Sequence, residues 1–463
     1  MASSDSKNNI EELKEKKVGK LIMQYAFPSI TGMIVLASYL LILQVYIAYG
    51  SGLGVHAVGG IGICLPIMVL LTAIGMFPGV GAASGISICL GKEDQETARD
   101  LLGNAVTLAI ILSLTFTLLF FLFFESILRL IGTTEENYLY VKDFLLIFIP
   151  NVVVVIVSGC LNYIMRASGH PKKAMLLLLF GLLLNIVVIP FFLFILKGGI
   201  KGAAIAMVLC QWIAFVPNLH HFLKKDNHLP LRMQSLKLNP HIVQLISKIG
   251  FSPFLVISST AIVAFIINNR LTTYGSAFAI NTYTISNALL TFFVLILTGL
   301  SQGIQPIVGY NYGAGKIDRL FETLKITGIT AVTIGIIGWI FTSLFSYPFT
   351  QLLSGNNQPV AAEAVRCLRI LSIGLPLAGF QLIATSFFQS IGSAGKAFTL
   401  SITRQWVFLI PALFVFPLFW QTQGVWYALP FSDASSTLLA AIIFTYQWNE
   451  LNELKNKNKS NTN

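Results

Sequence analysis

The sequence predicts an all-α integral membrane protein, built as twelve transmembrane helices in two pseudo-symmetric six-helix lobes. Three observations carry this expectation. Of the 463 residues, 55% are hydrophobic and only 11% are charged, where a soluble globular chain carries about 25% charge. Twelve apolar segments each reach the ~20 residues needed to cross a bilayer. The third observation is a tandem repeat: the stretch from Gly299 to Lys316 (GLSQGIQPIVGYNYGAGK) echoes the stretch from Gly75 to Asp94 (GMFPGVGAASGISICLGKED). A shift of 224 pairs Gly75 with Gly299, Gly79 with Gly303, Gly85 with Gly309, Gly91 with Gly315, Lys92 with Lys316 and Asp94 with Asp318. Composition alone would give roughly one or two identities in such a window.

The apolar segments fall at 21–48, 57–90, 102–124, 142–165, 174–196, 202–222, 243–269, 278–308, 324–347, 367–390, 397–420 and 424–446. The second and eighth are rich in glycine, and Gly299/Gly303 at i, i+4 clear one helix face for a neighbouring backbone. The third is the plainest and is expected to face lipid. The repeat continues in Pro28 with Pro253, Gly169 and Lys173 with Gly392 and Lys396, and Gly202 and Ala206 with Gly424 and Ala428. Six helices per half is an even number, so both halves enter the membrane in the same sense, related by an axis along its normal. The expected organisation is a tail at 1–19, an N-lobe at 20–222, a linker at 223–242, a C-lobe at 243–447 and a tail at 448–463.

Charge sets the orientation. Of the 30 Lys and Arg, 23 fall in the two tails and the loops after even-numbered helices, and 7 on the other side. This bias places both termini in the cytoplasm. It also accounts for the net charge of +11 without a nucleic-acid surface. The Lys-rich start has no cleavage site after its first apolar run, so that run reads as a retained helix. Five cysteines, in or beside apolar segments, read as small hydrophobes rather than a disulfide or metal framework.

Several function classes are excluded. Gly-Lys pairs at Gly91-Lys92, Gly315-Lys316 and Gly395-Lys396 lack the upstream glycine and the following Ser or Thr of a phosphate-binding loop. Transport is therefore expected to draw on a gradient or a partner subunit. No HExxH or paired catalytic spacing appears; the six histidines read as loop residues, with neither an enzyme nor a metal site expected. No cofactor is expected beyond a coupling ion, H+ or Na+.

Eighteen of the 19 carboxylates lie in tails, loops or helix ends, and only Asp433 (ALPFSDASS) sits well inside a span. An ionisable group there costs on the order of 2.5–3.5 kcal/mol, which makes it a functional candidate. Arg404 (ITRQW), on the preceding helix, is the deepest cation. The two differ in depth by ~8 Å, a gap its side chain bridges, and both a static pair and a switching pair fit the sequence. Tyr39, Asn185, Asn287, Gln302, Gln305 and Gln381 are the candidate lining of a polar cavity. Each taken singly is as readily an interhelical hydrogen bond. Pro28, Pro253 and Pro306 are the candidate helix bends and gating points.

The motifs GLSQGIQPIVGYNYGA (299–314), FFQSIGSAGKA (387–397), ITRQWVFLIP (402–411), GVWYALPFSD (424–433), MRASGHPKKAM (165–175) and GIKGAAIA (199–206) are ordered along nearly the whole chain. They resemble the MATE (multidrug and toxic compound extrusion) family, of the bacterial type. The resemblance implies a V-shaped pair of lobes in the bacterial inner membrane. It also implies export of small organic molecules, mostly cations, in exchange for protons or sodium, with the lipid bilayer as the other partner. A monomer is expected. The chain departs from the family pattern where ion coupling is usually assigned: Leu40 and Leu43 stand in the first helix, and Ile189 before Pro190 in the fifth. Two further readings follow: a flippase for lipid-linked glycans, and a regulatory membrane protein without transport.

Overall fold

The computed structural model describes residues 12–50, 54–131, 133, 135–224, 228–353 and 358–460, leaving aside the side chains at 37, 39–50, 54–63, 65–66, 130, 135–137, 194, 276–278, 281, 352–353, 451 and 454–460. Every regular element among these residues is helical. The helices are α1 (Val18–Gly50), α2 (Gly54–Gly91), α3 (Gln95–Leu122), α4 (Tyr138–Ala167), α5 (Pro171–Pro190), α6 (Gly199–Leu223), α7 (Pro240–Gly275), α8 (Thr282–Gly313) and α9 (Ile317–Leu344). The tenth pass, α10, is a pair of helices, Gln358–Ser372 and Leu375–Ser390, bent by 43° at the break. The run Ala394–Glu450 is 57 residues long, about 85 Å at 1.5 Å per residue and far beyond a ~30 Å hydrocarbon core. It turns at Gln421, whose φ of 48° is not helical, and so holds two passes, α11 (394–420) and α12 (422–450). Nine helices in the described residues have spanning length and apolarity, or ten with the bent pair. The turn at Gln421 and the 33-residue α1 bring the count to the expected twelve. The protein is a multi-pass membrane protein.

Two compact units divide the chain, Met1–Glu15 with Thr31–Ser258, and Lys16–Ile30 with Ser259–Asn463. The start of α1 thus belongs with the second unit, and α7 as far as Ser258 belongs with the first. Glycine makes both placements possible. A Cβ on Gly303 would sit 2.5 Å from the Cα of Ala26, and one on Gly299 2.6 Å from the Cα of Ile30, so α8 accepts α1 backbone to backbone. In the first unit a Cβ on Gly250 would strike the carbonyl of Phe77, and one on Gly81 that of Ile246. Close crossings of this kind replace the hydrophobic drive that helices lack in lipid.

Within the first unit α2 packs on α3 and α4, and α5 on α6; within the second α9 packs on α10, and α12 on α10 and α11. Helix α3 has the character expected of a lipid-facing helix, with Leu114, Leu118 and Leu122 exposed. Helices α2, α4, α8 and α10 end alike. The amide of Asp94 donates to the Cys89 carbonyl, His170 to Met165, Lys316 to Asn311 and Ser393 to Phe388. The residue before each donor has positive φ: Glu93 (64°), Gly169 (92°), Gly315 (68°) and Gly392 (75°). These are Schellman caps, which close the last turn on itself. The caps of α2 and α8 are offset by 222 residues, not the 224 that aligns the glycine-rich stretches, because α2 runs two residues further before turning. Glu93 consequently occupies a position that Gly315 fills in the other half. Asp94 then caps α3, accepting from the Thr97 amide at 3.1 Å, and hydrogen bonding from Thr97 holds its carboxyl below the usual carboxylate range.

A side chain in the left-handed region costs about 1–2 kcal/mol. Glu93→Gly is therefore expected to raise the thermal midpoint of the detergent-solubilised protein, while Gly315→Glu lowers it. Equal midpoints for Glu93→Gly and wild type would show that the cap carries no strain.

Candidate functional site

The sharpest polar site lies in the second unit, where α12 folds back on α11. Residues Thr403–Leu409 of α11 form a π-helical stretch, TRQWVFL. Such a bulge inserts an extra residue into the turn and rotates the side chains around it, a local irregularity common at functional positions. It carries Arg404 opposite Asp433. The guanidinium grips one carboxylate oxygen twice: Nε donates to Oδ1 at 3.0 Å, and the terminal nitrogen lies 2.9 Å from the same Oδ1. Both side chains are largely buried, Arg404 26% and Asp433 14% exposed.

The surrounding bonds fix the backbone on either side. Ser432 Oγ donates to the Arg404 carbonyl at 2.6 Å, a carbonyl that lies within the π stretch. Ser436 Oγ donates to the Asp433 carbonyl at 3.1 Å. Thr437 Oγ1 reaches the Leu377 carbonyl at 2.9 Å, tying α12 to the second half of α10, and the Trp406 indole donates to Ser259 Oγ at 2.7 Å. The second carboxylate oxygen, Oδ2, is turned to Gly374, where an added Cβ would collide with it. Gly374 is the N-cap of Leu375–Ser390, at the 43° bend of α10. Asp433 therefore touches two backbone irregularities at once, the π stretch of α11 through Arg404 and the break in α10 through Gly374. A carboxylate beside the first turn of a helix also faces the positive end of its dipole.

The other candidate residues are dispersed. Gln302 is buried, and Gln305 donates to the Gln389 side chain at 3.5 Å. Gln381 is buried and spans to Thr385 Oγ1 and the Leu400 carbonyl at 3.3 and 3.4 Å. Asn287 is half-buried. Pro28 lies in α1, Pro253 in α7 and Pro306 in α8, each inside an unbroken helical run. Pro28 and Pro253 stand shortly before the points, after Ile30 and after Ser258, where the chain passes from one unit to the other.

Asn185 belongs to the first unit, donating to the Gly181 carbonyl at 2.7 Å. It lines a mostly apolar cavity of about 430 Å³. Three further amide side chains share that lining and were not singled out from the sequence. Asn162 donates to the Ala174 carbonyl, Asn218 to Ser158 and Gln211 accepts from Asn151. The side chain of Tyr39 lies outside the described residues, as do those of Leu40 and Leu43.

The histidine reading needs correction. His221 is not a solvated loop residue: it lies in α6, is buried, contacts the Lys173 ammonium at 2.7 Å and packs edge-on against His170. It falls inside the apolar run 202–222 that marks this helix in the sequence, and the helix itself ends at Leu223. Among the described residues no group of three or more His, Cys, Asp or Glu converges on a common point. None of the five cysteines is joined in a disulfide, and four of them are buried.

The MatE family model matches residues 28–191 and 249–415. The chain belongs to the MATE family. The multidrug export protein MepA of Staphylococcus haemolyticus is 27% identical over 430 residues, covering 93% of this chain and 94% of that protein. MepA of Staphylococcus aureus is 26% identical over 435 residues, with the same coverage. These relatives are named as export proteins, not enzymes. Among solved structures, the chain is similar to a multidrug resistance MATE family transporter in an outward-facing conformation. The TM-score is 0.89 at 23% identity, over 96% of this chain and 98% of that one. It is likewise similar to a MOP superfamily transporter from Pyrococcus furiosus, with a TM-score of 0.88 at 22% identity, over 96% and 98%. These likenesses give the fold.

In this MATE family member Ile189 is 1% exposed and packs with Leu193, Ala203 and Ala206. The place before Pro190 is thus part of an apolar cluster between α5 and α6. The π-helical residues that follow, Phe191–Ile195, mirror in kind the π stretch of α11.

Gly374→Ala is expected to displace the Asp433 carboxylate and lower the thermal midpoint by the equivalent of about 1–3 kcal/mol. In an Asp433→Ala background the same change should cost much less, since the colliding oxygen is gone. Additive losses in the double variant would mean that Gly374 and Asp433 do not act on each other.

Proposed function

We propose that the protein exports amphipathic, mostly cationic organic compounds across the bacterial inner membrane, with both termini in the cytoplasm. Export proceeds by alternating access coupled to a proton or sodium gradient, and Asp433 is the coupling carboxylate. The observation that carries this reading is the Arg404–Asp433 pair, held between the π stretch of α11 and the break in α10. MATE family membership and the full-length similarity to proteins named multidrug exporters support the substrate class.

The mechanism follows from the charges. With Asp433 ionised, Arg404 is held on Oδ1, and the two helices are clamped. Binding of a proton or sodium ion at the carboxylate competes with the guanidinium and releases it. The freed Arg404 then loses its partner, so packing that gives the guanidinium other acceptors becomes favoured. An ion shifts a conformational balance only by its difference in affinity for the two states. The clamp supplies that difference, because it exists in one of them. In a buried pair, removal of one partner leaves the other charge uncompensated. That penalty makes the switch sensitive to the ion.

The amide side chains Asn185, Gln302, Gln305, Asn287 and Gln381 and the phenol Tyr39 are assigned to substrate lining, and Pro28, Pro253 and Pro306 to the bends that move. Neutral amides suit a range of amphipathic ligands. The exporter works as a monomer in this reading, since each chain carries both units.

The test is ethidium efflux from cells or vesicles under imposed proton and sodium gradients, with wild type, Asp433→Asn and Arg404→Gln side by side. Wild type is expected to export under one gradient and not the other. Asp433→Asn should abolish gradient-dependent export, and Arg404→Gln should retain transport with a shifted pH dependence. Undiminished gradient-dependent export by Asp433→Asn would remove the carboxylate from the mechanism. Absence of export by wild type, with headgroup flipping in reconstituted vesicles, would favour the glycan flippase; absence of both would favour a regulatory protein.

A further inference from the structure

A groove of about 530 Å³ lies on the second unit, walled by α9, the second half of α10 and the end of α12. It has no connection in residues with the Arg404–Asp433 site. Its sides are Leu324, Ile329 and Val332 of α9, Ile383 of α10, and Phe444 and Trp448 of α12. Its floor is opened by small residues: a Cβ on Gly328 would meet nothing within 4 Å, and Ala384 stands on the α10 wall. Aromatic packing holds the α12 wall in place. The Phe321 and Trp448 rings are 3.9 Å apart between centroids, and Phe444 packs against Phe387 at 5.8 Å. The groove opens outward, for Ile329 is 59% and Trp448 37% exposed.

One charge stands in this apolar slot, the ammonium of Lys325. It is exposed and makes no ion pair among the described residues, although Glu322 stands one turn earlier on the same helix. Lys325 is eight residues into α9, ~12 Å from its first residue, and the lining continues another ~12 Å to Thr333. Lysine on an apolar helix face lays its stem along the surface and lifts its charge toward the headgroups, and tryptophan concentrates at that same level. The pair Lys325 and Trp448 therefore marks one end of the groove as the interface, and Val332 and Phe380 mark the hydrocarbon end.

The geometry points to a bound anionic phospholipid: one acyl chain in the groove, with its phosphate against Lys325. Charge decides between amphiphiles. A cationic compound, the class assigned above as exported substrate, meets a like charge at the mouth, whereas an anionic headgroup meets its complement. The site is thus a lipid site on an exposed face of the unit, sharing no residue with the Arg404–Asp433 pair or the candidate substrate lining.

The experiment uses the full chain in nanodiscs of equal phosphatidylglycerol and phosphatidylethanolamine, extracted into mild detergent and weighed by native mass spectrometry. Phosphatidylglycerol is expected to be retained in preference to phosphatidylethanolamine. Lys325→Gln should reduce its retention about fivefold, as expected for one lysine near a headgroup. Gly328→Leu should remove the bound lipid altogether, and Lys248→Gln, at an exposed lysine of the first unit, should leave it unchanged. Equal retention of the two lipids, or unchanged retention in Lys325→Gln, would overturn the assignment. So would displacement of the lipid by saturating ethidium. Should Gly328→Leu fail to fold, the Lys325→Gln comparison decides alone.

Discussion

In hydrocarbon no water is at hand to take up a backbone hydrogen bond that a helix gives away, so every irregularity must be satisfied inside the protein. The chain's departures from α-helix obey this constraint. After the π turn at Phe191–Ile195, the Gly198 amide returns to the Phe192 carbonyl. At the break in α10, the Gly374 amide bonds Leu371. In the π stretch of α11, the Arg404 carbonyl receives the Ser432 hydroxyl. In each half two helix ends close through the same 6→1 cap. Where the backbone is irregular, then, side chains and neighbouring carbonyls have been committed to it, and that commitment places Arg404, Asp433 and Gly374 together.

The architecture was legible because the membrane imposes long apolar runs and the repeat shows itself in spaced glycines. Twelve segments, the two-fold repeat and the packing use of Gly299 and Gly303 all followed from these signals. So did the Arg404–Asp433 pair, since a deep acid and a deep base on adjacent helices have few other ways to be satisfied. What escaped was set by conformation rather than composition. The π stretch at Thr403–Leu409 has no distinctive residue pattern, and the bend in α10 is announced only by Gly374 before Leu375 and Pro376. The amide lining of the first unit was seen at Asn185 but not at Asn162, Gln211 and Asn218, whose helices differ and whose convergence depends on packing. The two-residue slip between the caps of α2 and α8 is also invisible to an alignment anchored on glycines.

The distribution of charge within the spans differs between the two units. In the first, the place before Pro190 is occupied by buried Ile189, and amides rather than acids line the cavity. In the second, a carboxylate is retained together with a guanidinium. A buried pair contributes little net stability against an apolar replacement, because desolvation of both charges offsets their attraction. Its retention is better understood as a constraint on geometry: the pair admits few arrangements of α10, α11 and α12, and a change of charge at one atom alters which are allowed.

The exchange of short segments between units has a consequence for the order in which the protein can be made. Domains of a growing chain fold as they emerge, and the first unit lacks its last element until Ser258 has been synthesised. The opposite holds for residues 16–30. They are made before the rest of their own unit, and the glycine-cleared face that receives them, on Gly299 and Gly303, is more than two hundred residues downstream. The beginning of α1 must therefore wait in the bilayer, unpartnered by its final neighbour, through synthesis of the entire first unit.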